Sequence, residues 1–101
     1  MATFKEAQSI LSKIVGHDRV YFQPPENLKM AYPAVVFHLS DLSSTRASNT
    51  VFSMRDRYTV TVMDKHPFPE YLYDLQKVPY TNLDTTYRVN GLNHFVYTMY
   101  L

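Results

Sequence analysis

Three runs of residues constrain what this chain can fold into: PAVVFHL (33–39), RDRYTVTVMD (55–64) and NHFVYTMYL (93–101). All three are rich in β-branched and aromatic residues, and the last two alternate with a period of two, so they read as strands. In 101 residues, three strands and one leading helix use most of the length. Little remains from which to build a catalytic cleft, and what such a chain presents to its surroundings is loops and sheet edges.

The middle run alternates best. Tyr58, Val60 and Val62 fall on one face, expected to be the core face, and Arg57, Thr59, Thr61 and Met63 on the other. The last run sets Phe95, Tyr97, Met99 and Leu101 against His94, Val96, Thr98 and Tyr100, and a strand reaching Leu101 is expected to tie the end of the chain into the sheet. At the other end, Thr3 and Glu6 have capping-box spacing. Phe4, Ala7, Ile10, Leu11, Ile14 and Val15 then recur at helical intervals, predicting an amphipathic helix from Phe4 to Val15 stopped by Gly16. Arg19 to Gln23 is a short β-prone run ended by Pro24 and Pro25, and Pro33 opens the next. After the breaker KHPFP, the residues Glu70, Tyr71, Leu72, Leu75 and Val78 fit a short second helix, with Pro69 at its start and Pro79 beyond its end. Tyr80 to Val89 reads as a strand or an irregular extended stretch, and Asn90-Gly91 is a hairpin turn. This order predicts a single α+β domain over residues 1–101, an antiparallel or mixed sheet of about four strands with two helices packed on one face.

Composition narrows the function classes. An apolar content of 46% against 19% charged residues excludes a disordered chain. A formal net charge of +1 with acids and bases interspersed leaves no broad electrostatic footprint for nucleic acid and no polybasic membrane anchor. The absence of cysteine removes disulfides, thiolate metal sites and thiol nucleophiles. MATFKEAQSILSKIVG mixes charges with apolar residues and lacks the apolar core of a signal peptide, so the expectation is a soluble cytosolic product. Nine tyrosines suit strands whose outer face meets another protein, and they equally follow from strand propensity alone.

Few residues invite chemistry. His17, His38, His66 and His94 lack zinc-motif spacing. Asp64-Lys65 lacks the second carboxylate of a metal-dependent nuclease strand and reads as a strand-end turn. The serines are not flanked by a glycine elbow, and no glycine-rich phosphate cradle exists. The expectation is a protein that is not an enzyme and holds no cofactor or metal. Arg46, Arg55 and Arg57 near Tyr58 form an arginine and aromatic mixture that keeps a small nucleic-acid-binding regulator open as an alternative.

DLSSTRASNTVFS (41–53) lacks apolar periodicity and reads as a loop or a long hairpin tip; loops of that length in small domains are commonly functional. From Val20 onward, VYFQPPENLKMAYPAVVFHL, this polar stretch, RDRYTVTVMDKHP and LNHFVYTMYL in succession resemble the tail-completion, or tail-terminator, proteins encoded among the head-tail joining genes of long-tailed phages. The resemblance implies a structural virion protein in the tail-neck region, assembled in the host cytoplasm. It implies a homo-oligomeric ring, typically a hexamer, that caps the head-proximal end of the tail tube, stops its polymerisation and docks the tail to the head connector. The implied partners are further copies of the chain, the tail tube protein and a head-side connector or stopper, with DNA only passing through the lumen and no membrane. Candidate interface residues are Asp41, Ser43, Ser44, Thr45, Arg46, Asn49 and Phe52 of the polar stretch, reaching onto the tube, and Arg55, Arg57 and Tyr58 at subunit contacts. A neck connector, stopper or adaptor is the alternative within the same class.

Overall fold

The computed structural model describes residues 4–24, 31–47 and 50–100, with the backbone alone for 4, 41–47 and 50–55. The elements in chain order are α1 (Phe4–Val15), β1 (Val20–Phe22), β2 (Ala34–Ala47), β3 (Thr50–Asp64), α2 (Tyr71–Gln76), β4 (Thr81–Val89) and β5 (Leu92–Tyr100). The fold is α+β, and its mixed sheet has five strands in the order β1-β2-β3-β5-β4. β1 runs parallel to β2 and every other neighbour is antiparallel. The extra strand is β4, the stretch that reads ambiguously in the sequence.

Local chemistry accounts for the boundaries. α1 ends where the Gly16 N–H donates to the Ser12 carbonyl at 2.9 Å and Gly16 takes φ +80°, a conformation in which an L side chain is strained. Its proposed Thr3 cap lies outside the described residues. Asn90 and Gly91 both have positive φ, 52° and 78°, and join β4 to β5 with Val89 paired to Leu92, the two-residue turn that the dipeptide predicts.

Both helices cover the same sheet face. The core joins Ala7 and Leu11 of α1 and Leu72 and Leu75 of α2 to Val20, Val35, Phe37, Tyr58, Val60, Val62, Phe95, Tyr97 and Met99 of the sheet. The expected phase of β3 is therefore correct, and so is that of β5 as far as Met99. Leu101 lies outside the described residues. Phe37, Val60 and Tyr97 are adjacent across three strands and each is at most 1% exposed. The Tyr97 hydroxyl donates to the Leu72 carbonyl at 3.3 Å, so a polar tip fastens α2 to β5.

Among the described residues no helix lies over the opposite face. Val36, Thr61 and Val96 form one row across β2, β3 and β5, and His38, Thr59 and Thr98 form the next. The Ser40 and Thr59 hydroxyls bond to each other, and the Thr98 hydroxyl donates to Asp84. His94 stacks on Tyr87 with ring centroids 4.6 Å apart.

Candidate interaction surfaces

β2 and β3 are longer than the sheet they belong to. β5 accompanies β3 only from Asp64 to Arg57, which pairs with Tyr100, and β1 accompanies β2 only at Val35 to Phe37. Beyond the Asp41–Arg57 pair the hairpin continues, among the described residues, as two strands alone, through Leu42–Asp56, Ser43–Arg55, Ser44–Met54 and Thr45–Ser53 to Ala47–Thr50. At about 3.3 Å per residue this arm stands about 20 Å beyond the sheet, and the molecule is accordingly long, 50 × 28 × 22 Å. A two-stranded ribbon is marginal in water by itself and gains from a third neighbour.

Of the two readings of residues 41–53, a loop or a long hairpin tip, the structure has the hairpin. The backbone is a paired ladder, with register shifts between Leu39 and Asp41 and between Thr45 and Arg46. Ladder bonds need no apolar alternation, and threonine is a good strand former, so a polar text without periodicity does not exclude strands. Among the candidate interface residues, Asp41, Ser43, Ser44, Thr45 and Arg46 lie on β2, and Phe52 and Arg55 on β3. Asn49 lies outside the described residues. Arg57 is half-buried at the foot of the arm. Tyr58 requires correction: it is 3% exposed and packs edge-on to Phe37 at 5.8 Å, so it is a core residue, available neither to a protein partner nor to a nucleic-acid base. The same burial sets its phenol above the usual tyrosine range, with Asp56 adding to it. Asp56 itself is 8% exposed, and its Oδ1 has no partner among the described residues.

At the far end of β3 the chain turns into α2, and two concavities flank that helix. An apolar groove of about 340 Å³ lies between α2 and β4, where Phe68, Tyr73 and Leu83 are 56%, 63% and 43% exposed. Phe68 and Tyr73 hold each other, ring centroids 5.6 Å apart, above buried Phe95 and Tyr97. A polar cleft of about 650 Å³ lies on the other side, lined by Asp64, Glu70 and Asp74 with His17 and His66, and Phe68 borders both. Sequence reasoning did not single out this surface, although the aromatic cluster FPEYLY is its visible signal.

The Asp64 carboxylate holds the turn that shapes this cleft. Asp64 Oδ1 accepts the His66 backbone N–H at 2.9 Å and Oδ2 accepts the Tyr71 hydroxyl at 2.6 Å, so both oxygens are occupied in holding the turn. Burial and this bond to Asp64 push the Tyr71 phenol far above its ordinary value. His17 Nδ1 accepts the Arg19 N–H at 3.1 Å, which places the ring proton of the neutral form on Nε2, a buried atom without a partner among the described residues. Burial, with the Arg19 charge second, lowers its pKa. His38 and His94 lie on the opposite sheet face, and among the described residues no three histidine or carboxylate groups are placed to share a metal ion.

The remaining open feature is β4, an edge strand with eight of its nine residues exposed. A register shift at Leu83/Thr85, together with Asp84 and Arg88, breaks up that edge. No helix of the described residues is long and apolar enough to cross a membrane. Comparison with protein-family models, with curated proteins and with solved structures yields no match.

Proposed function

We propose that this chain is a ring-forming structural protein of the phage head-tail joining region, a tail terminator. Copies of the chain surround the head-proximal end of the tail tube, stop its growth and present a docking face to the head connector. The protein works by association and catalyses no reaction. Its partners are copies of itself, the tube protein and a head-side connector, with DNA passing through the lumen.

The observation that carries this reading is the two-stranded arm. It extends the hairpin past every other strand of its own sheet, which is costly for a 101-residue domain unless another chain completes the contact. The two sheet edges also differ, three residues of β1 on one side and nine of β4 on the other. Two unlike edges are compatible with the two different patches that a head-to-tail contact needs, the arrangement that generates rings when its rotation closes. The ordered resemblance of the sequence to tail-completion proteins supplies the assembly.

The test is the mass in solution by light scattering across a concentration series, with and without purified tail tubes. A discrete ring-sized species, or a monomer that joins tube ends, is expected. A monomer indifferent to tubes and absent from purified particles refutes the reading.

A further inference from the structure

We infer that the outer arm of one copy docks across α2 of the next copy, a segment with two arginines and no carboxylate meeting a helix flanked by carboxylates and an apolar groove. This rests on the ring reading and names the contact that builds the ring. It also assigns the arm to the neighbouring subunit in place of the tube.

Two complementarities support it. Residues 43–55 contain Arg46 and Arg55 and no acidic residue, and they include Val51, Phe52 and Met54. The α2 surface offers carboxylates beside an apolar recess. Asp64, Glu70 and Asp74 line the cleft without any lysine or arginine among its described lining, and Phe68 and Tyr73 stand open over the groove. Three cations border the cleft: Lys77, 3.9 Å from Asp74 with both side chains largely in solvent, Arg19, whose guanidinium donates to the lining Pro33 carbonyl at 2.8 Å, and Lys65, next to Asp64 in sequence. Because Asp64 is occupied by Tyr71 and the His66 backbone, Glu70 and Asp74 are the carboxylates offered to an incoming guanidinium.

The direction of the chain then decides whose arm it is. The arm leaves the start of β3 and α2 follows its end, so the Arg55 and Asp64 backbones are separated along the strand by about 30 Å. The arm points away from its own cleft and cannot fold back without breaking the ladder. The contact therefore joins two different copies, and where it runs one way from subunit to subunit, as the ring reading requires, a closed rotation makes a ring.

Charge reversal with exchange tests this. Variant A carries Arg46→Glu and Arg55→Glu, and variant B carries Glu70→Lys and Asp74→Lys. Circular dichroism and thermal unfolding matching the parent establish that each is folded. Each variant alone is expected to self-associate more weakly than the parent, by about tenfold or more per reversed pair. An equimolar mixture of A and B is expected to recover parental assembly, since the acidic arm of A meets the basic α2 of B and the reverse contact is of parental sign. If the parent assembles and A and B assemble equally well, or the mixture recovers nothing, the docking is wrong and the ring reading stands. If A forms rings but no longer binds tubes, the arm belongs to the tube and the docking is again wrong. If the parent forms no oligomer at any concentration or on tubes, the ring reading itself fails and the docking with it.

Discussion

Replacing Val60 by alanine isolates the core at its centre. Val60 is fully buried, paired with Phe37 on one side and Tyr97 on the other, in a cluster that also holds Leu11 and Leu75 of the two helices. The change removes two methyl groups, worth about 0.8 kcal/mol each in transfer alone, or about 1.6 kcal/mol. Strands on both sides hold the cavity open, and its walls lose dispersion contacts worth about 1 kcal/mol more. The sum is about 2–3 kcal/mol, a large share of the roughly 5–15 kcal/mol typical of a domain, and lowers the melting temperature by about 10–20 °C. Urea unfolding at neutral pH measures it, with His38→Ala as control. His38 adjoins Phe37 in sequence but is exposed on the helix-free face, so its loss is expected within about 0.5 kcal/mol of the parent. Val60→Asp goes further, placing an unpaired carboxylate among apolar side chains, and is expected to prevent soluble folding. A Val60→Ala protein as stable as the parent, or a soluble and stable Val60→Asp protein, refutes the assignment of this face to the core.

Four other outcomes follow from the geometry. Tyr71→Phe removes a 2.6 Å hydrogen bond to the Asp64 carboxylate and is expected to cost about 1–2 kcal/mol in urea unfolding. Tyr58, Tyr71 and Tyr97 all have raised pKa values, first through burial. The unfolded chain then loses phenolic protons above about pH 10 while the folded chain keeps them, so stability holds below that pH and falls above it, with a shallower fall in Tyr97→Phe. His17 has the opposite sense: its folded pKa is depressed, the unfolded ring takes a proton first, and stability present above about pH 6.5 declines as pH drops, a component that His17→Gln removes in unfolding curves at two pH values. Gly91→Ala meets no atom within 4 Å but sits at φ +78°, so backbone strain alone is expected to lower stability by about 1–2 kcal/mol, read by thermal unfolding.

What could be read from the residues follows from what the fold buries. β3 and β5 alternate because helices press on one face only, so Val60 and Val62, or Phe95 and Met99, are apolar while Thr59 and Thr98 are not. The Asn90-Gly91 turn and the Gly16 stop are legible because positive φ selects few residue types. β4 is ambiguous for the converse reason: after Thr81 every residue is exposed, and no face imposes a pattern. β1 has three residues, too few for a period, and its parallel pairing with β2 spans a connection that leaves no local signature. The outer arm lies past the reach of β1 and β5, so its text lacks the alternation that a shared sheet face imposes.

The poorly legible elements are those with the least to gain inside their own subunit. Edge strand β4, the paired arm and the exposed Phe68 and Tyr73 each carry composition that the isolated domain does not require. An exposed aromatic pair and an arm standing clear of the sheet both cost solubility or order, and neither stabilises the core. If a second copy covers them, their residue types obey the pairing rules of that contact. Arg46 and Arg55 then belong to the same pattern as Glu70 and Asp74, although no helical or strand period links them within one chain. That pattern is invisible to periodicity arguments and becomes readable only when the two ends of β3 are assigned to different subunits.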